Sequence, residues 1–171
     1  MAGRRPSPPR RGRGPVKSPY CIGSIALDEK SLIKRSADIE REREIAIHDL
    51  LAENFFQPKD SAGGPYHLVL GIAENQLVFD IKLEGADHGH IVLSLTPFRR
   101  VVKDYFLVCE SYFAAVHEGR GAHVEAIDMG RRGLHNDGAK LLCQRLKGKI
   151  DMDFDTARRL FTLICVLHLK R

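Results

Sequence analysis

Three short segments set two arginines side by side, three residues after a small polar residue. They are Thr96-Pro97-Phe98-Arg99-Arg100, Asp128-Met129-Gly130-Arg131-Arg132 and Asp155-Thr156-Ala157-Arg158-Arg159. A guanidinium is a permanently charged, planar fork of N–H donors that matches a carboxylate or phosphate edge. If Thr96 and Asp155 are helix N-caps, Arg99-Arg100 and Arg158-Arg159 lie in a first helical turn. The aligned peptide dipoles place about half a positive charge there, and an exposed cation costs up to ~1 kcal/mol. Negative charge must offset that cost, and two sources are open. Asp104, Asp128 and Asp155 stand three or four residues from Arg100, Arg132 and Arg158-Arg159, the spacing of ion pairs along a helix. Alternatively, free N–H groups and guanidinium forks together form a site for a small anionic molecule.

The segment after the middle pair adds His135, Asn136 and Asp137. A histidine with a carboxylate nearby has the parts for acid–base chemistry near neutral pH. The same Asn-Asp-Gly run also reads as a helix stop and restart, with Asp137 as the new cap. The candidate ligand-binding set is therefore Arg99, Arg100, Arg131, Arg132, His135, Asn136, Asp137, Arg158 and Arg159. No catalytic residue is assigned, because no GxSxG, P-loop, GxGxxG or HExxH pattern is present. None of these motifs calls for a cofactor. Asp87-His88-Gly89-His90 would set two histidines on one side of a strand, but no third ligand is evident and no metal is expected. Cys21, Cys109, Cys143 and Cys165 are widely spaced among apolar residues, as reduced buried thiols of a cytoplasmic protein would be.

Net charge is +5, yet six cations and no acid fall within residues 1–17. Without them 21 basic residues face 22 acidic ones, so the rest of the chain is close to neutral. A duplex-binding surface usually carries its positive charge on a folded face, and nothing in this balance demands a nucleic acid. Residues 1–19, rich in Pro, Arg and Gly, read as a disordered basic tail, and residues 20–171 as one domain. No run approaches the ~20 apolar residues of a membrane span, so no membrane partner is expected.

The elements that must position these residues follow from periodicity. Ile22 to Leu27 reads as a short strand, and a helix capped by Ser36 or Asp38 runs to about Asn54. Tyr66 to Ile72, Leu77 to Glu84 and His90 to Leu95 alternate as a meander, with a turn at Glu74-Asn75. A long helix after Thr96-Pro97 carries Val102, Tyr105, Cys109 and Val116 at helical spacing. Helices at His123–Arg132 and Gly138–Leu146, a strand at Lys149–Phe154 and a helix capped by Asp155 complete the order. The whole predicts an α+β, two-layer domain: a mostly antiparallel sheet of about five strands with helices packed on one face. The last helix is apolar on every side in LFTLICVLHL. Such a helix lies at the centre of a core or is covered by a second copy or a protein partner.

The runs TPFRRVVKDYFLVCESY, AIDMGRRGLHNDGAKLL and DFDTARRLFTLICVLHLK resemble the bacterial group known as uncharacterised protein family 0262, from about Ile22 to the C-terminus. The resemblance implies no activity, cofactor, partner or site residue, because the family has none assigned. It marks the tail before Cys21 as an addition to the shared pattern. The leading functional expectation is a non-enzymatic association module, potentially a homodimer. The alternative is a binder of, or enzyme on, an anionic or phosphorylated ligand held by the paired arginines. Nucleic-acid binding through the tail ranks last.

Overall fold

The computed structural model describes residues 18–28 and 36–168. The tail expected over residues 1–19 therefore lies outside the described residues except for Ser18 and Pro19. In chain order the elements are β1 (Ile22–Asp28), α1 (Ala37–Ala52), β2 (Phe56–Pro58), β3 (Tyr66–Ala73), β4 (Gln76–Leu83) and β5 (Ala86–Ser94). A 3-10 turn (Thr96–Phe98) then leads into α2 (Arg99–His117), α3 (Gly121–Leu146), β6 (Ile150–Met152) and α4 (Phe154–His168). The architecture is α+β, as expected.

The strands divide into two sheets instead of one. Four strands run in the order β1-β3-β4-β5, and β2 pairs separately with β6. The β3–β4 and β4–β5 pairs are antiparallel, while β1 joins β3 in parallel because α1 carries the chain back between them. Glu74 and Asn75 both adopt positive φ (50° and 62°), which matches a two-residue hairpin to the twist of its strands. Strand alternation then sends Leu68, Leu70, Leu77, Phe79, Ile81 and Leu93 into the core, each at most 6% exposed. His67, Val69, Asp80 and His90 occupy the other face.

Helix α4 is the centre of the helical layer. Every residue from Thr156 to Leu167 is buried except Arg158 and Arg159. Its apolar surround is thus covered by α1, α3 and β3 of the same chain, and a second copy is not needed to explain it.

Three local expectations are corrected. Thr96 does not cap α2: its hydroxyl accepts from Asn75 Nδ2 at 3.2 Å, and a 3-10 turn intervenes, so Arg99 and Arg100 are the first two residues of the helix. Asp153, not Asp155, caps α4, accepting from Thr156 N through Oδ1 at 3.0 Å. Arg158 and Arg159 then fall in the second turn, beyond most of the dipole's reach. Finally, His135-Asn136-Asp137 does not break a helix, since α3 is continuous over 26 residues. Gly138 is there for packing. A Cβ at that position would stand 2.4 Å from the Phe161 ring of α4, so only glycine lets the two helices approach this closely.

Candidate functional site

Two of the three arginine pairs meet. Arg131, Arg132 and His135 of α3 line one cleft with Asp155, Arg158, Arg159 and Thr162 of α4, and α1 closes it with Glu42, Ile45, Ala46 and Asp49. The cavity measures about 250 Å³. Helix spacing explains the convergence: Arg131, Arg132 and His135, like Arg158, Arg159 and Thr162, lie within one turn of each other.

The anchor that fixes α1 against α4 is polar. Arg159 Nη1 donates to the carbonyl of Glu53 at 3.0 Å, and Phe55 N donates to Thr156 Oγ1 at 3.0 Å. Asn54 ties the same corner to β1, accepting from Ile22 N at 2.7 Å and donating to Ile22 O at 3.0 Å.

The four guanidinium groups are not equivalent. Arg131 is 17% exposed and commits all three of its nitrogens to carboxylates: Nε and Nη2 donate to Asp128 Oδ1 at 3.2 and 3.0 Å, and Nη1 to Glu42 Oε1 at 3.0 Å. Its plane also lies 4.3 Å from the Tyr112 ring centroid. Burial alone would pull its pKa down, but Glu42, Tyr105 and Asp128 outweigh that and raise it. Arg132 is 74% exposed and touches Asp128 Oδ2 through Nε at 3.1 Å, which leaves its outer N–H groups toward solvent. Arg158 Nη1 reaches Asp155 Oδ1 at 3.3 Å, while its Nε is buried with no hydrogen-bond partner among the described residues. A buried donor in that state costs about 1–3 kcal/mol unless a further acceptor arrives. Arg159 meets only a neutral carbonyl among the described residues.

His135 packs against Tyr105, with ring centroids 4.8 Å apart and planes tilted by 30°, and its Nε2 lies 3.0 Å from Thr162 Oγ1. The threonine's single proton goes to the Arg158 carbonyl at 3.2 Å. In that arrangement its oxygen accepts from the histidine, which favours the Nε2–H tautomer. Burial, then Arg131 and Arg158, push the His135 pKa down to about 4. The ring is neutral at physiological pH and acts as a hydrogen-bonding wall.

The other expected site residues lie elsewhere. Arg99 donates through Nε to Asn75 Oδ1 at 3.2 Å, pinning the β3–β4 turn to α2. Arg100 is exposed, and no ion pair joins it to Asp104 among the described residues. Asn136 and Asp137 do not line the cleft. His88 and His90 part company: β5 slips register against β4 at Ile81/Lys82, and the extra residue is His88. That bulge turns His88 toward Tyr66 and Ser61 Oγ (2.9 Å), whereas His90 pairs with Asp80 on the opposite face. No group of three or more metal-ligating side chains is assembled among the described residues.

Sequence reasoning missed Glu42, Asp49 and Thr162. Glu42 belongs to the alternating charges of Glu40 to Glu44, which look like a solvated face, and no local signal marks it as the acid that meets Arg131. A larger groove of about 520 Å³ follows β2 and β6 past Lys59, Lys147 and Lys149. It holds none of the paired arginines, and its thiol, Cys143, is raised in pKa by burial and by Asp151 and Asp153, away from reactivity.

Comparison with known proteins agrees with the resemblance read from the three runs. The sequence pattern of uncharacterised protein family UPF0262 matches residues 20–170. A UPF0262 protein of Phenylobacterium zucineum is 56% identical over 90% of this chain and 96% of its own length. Relatives from Caulobacter vibrioides (54%, with the same coverage) and Mesorhizobium japonicum (58%, over 84% of this chain and 90% of its own) are similar. No solved structure matches. No described helix is long and apolar enough to cross a membrane. On the match across nearly all of residues 20–170, the chain belongs to uncharacterised protein family UPF0262.

Proposed function

We propose that this protein binds a small anionic molecule in the cleft between α1, α3 and α4. One observation carries the reading: arginines from two separate helices converge on a single cavity, and one of them holds a buried Nε with no partner among the described residues. Carboxylates answer part of the positive charge, so the internal network and the ligand site are the same construction. Arg131 holds the wall, while Arg132, Arg158 and Arg159 offer donors. The cytoplasm, with its reduced thiols and abundant small anions, fits the four free cysteines.

The test is thermal melting of the full chain with inorganic phosphate and a set of sugar phosphates and dicarboxylates. A ligand that binds only the folded state raises Tm with its concentration. The paired variant Arg132→Gln/Arg159→Gln abolishes the rise, and Arg99→Gln leaves it intact. A flat Tm across the whole set in the unaltered protein refutes the reading.

Self-association is the second reading, and α3 favours it where α4 does not. Met129 is 75% exposed, Ala122 and Ala126 lie open on the same side, and a Cβ at Gly130 or Gly133 would meet nothing within 4 Å. Helix-interior glycine costs about 1 kcal/mol relative to alanine, and no packing among the described residues requires it at these two positions. Light scattering distinguishes the readings: a dimer that Met129→Lys dissociates supports association, and a monomer at all concentrations removes it.

A further inference from the structure

Resting on the anion-binding reading of the cleft, we propose that its ligand is a zwitterion: a small acid that also carries an ammonium group. The argument is a charge inventory. Arg131 is matched by Glu42 and Asp128, Arg132 by Asp128, and Arg158 by Asp155. Two charged groups of the lining are then left over. One is Arg159, whose described contact is the uncharged Glu53 carbonyl. The other is Asp49, whose carboxylate has as its described ion-pair partner only the neighbouring His48, 3.4 Å away and outside the cleft. Asp49 is on α1 and Arg159 on α4, so the unmatched charges of opposite sign come from different walls.

A polyanion is poorly served by this arrangement. Four arginines and four carboxylates make the surroundings close to neutral, and a ligand of high negative charge would face Asp49 across the cavity with nothing to balance it. A molecule with one anionic and one cationic end satisfies both leftovers. Ile45 and Ala46 stand on α1 between Glu42 and Asp49 and give a short hydrocarbon spacer an apolar surface. Size narrows the class further. At about 250 Å³ the cavity suits a small ligand such as an amino acid or a phosphorylated short-chain amine.

Calorimetric titration of the full chain with matched pairs tests this. O-phosphoethanolamine and ethyl phosphate differ in the ammonium group, as do β-alanine and propionate, and the two pairs separate phosphate from carboxylate as the acidic end. One added ion pair at a partly exposed site predicts about fivefold tighter binding of the aminated partner. Asp49→Asn, a change on a half-exposed side chain, removes that advantage and binds the non-aminated partner as tightly as before or more tightly, because a repelling carboxylate is gone. Equal affinities within both pairs overturn the zwitterion and leave the anion site standing. Absence of binding by all four, with no response to phosphate either, overturns both.

Discussion

Arg99 and Arg131 occupy the same place in the same short pattern, yet their surroundings differ. Arg99 stands at the exposed corner between α2 and the β3–β4 turn, and its partner is the neutral Asn75 side chain. Arg131 sits between three helices, holding Glu42 and Asp128 and covering Tyr112. The first is a surface brace. The second is a partly buried charge whose removal strands another partly buried charge. What the pair of arginines does is decided by the helix that carries it and by the acids that the fold brings opposite, neither of which is written in the five-residue pattern.

The largest effect expected from this contrast is on stability. Arg131→Ala leaves the Glu42 carboxylate half-buried without its cation and is predicted to cost about 2–4 kcal/mol in denaturant unfolding. Arg99→Ala is predicted to cost less than about 1 kcal/mol. Equal losses would erase the distinction between the two regions.

Glycine offers the same comparison along a single helix. At Gly138 an added methyl would meet the Phe161 ring, so Gly138→Ala is expected to destabilise by about 1–3 kcal/mol as α3 is pushed off α4. Gly130→Ala meets open space and gains helix propensity, a stabilisation of up to about 1 kcal/mol. Matching signs in unfolding experiments would show that Gly138 is not a packing residue.

A smaller effect is expected from pH. The His135 pKa is lowered from its ordinary value of 6.5 to about 4, so the folded protein binds this proton less readily than the unfolded chain. The contribution of the neutral ring is fully present above about pH 6.5 and is lost as pH falls from there to about 4. His135→Gln should flatten that part of the stability profile. An unchanged slope would mean that the imidazole is not held neutral by its surroundings.

Most elements could be read from periodicity and capping. Ser36 does cap α1, with its hydroxyl 3.3 Å from Ile39 N, and the alternation in Tyr66–Ile72 and Leu77–Leu83 marks the central strands correctly. The errors occur where one residue type serves two purposes. Gly138 resembles a helix terminator because glycine is also what close helix contact requires. Asp155 resembles a cap because Asp153, two residues earlier, has the same side chain. The cleft was legible only in part: all four of its arginines and His135 belong to runs that draw attention, but their convergence depends on the tilt of α3 across α4. Glu42 and Asp49, from a helix about 90 residues earlier, supply the acids that no helical spacing could announce.

The central claim is that the arginines of the cleft, and not those of α2, meet an anion. Its most direct test follows the arginine Nε–H signals by nuclear magnetic resonance during a phosphate titration. Saturating shifts for Arg132, Arg158 and Arg159, with Arg99 and Arg100 unmoved, are the predicted result. Uniform small shifts across all of them, tracking ionic strength alone, would contradict it.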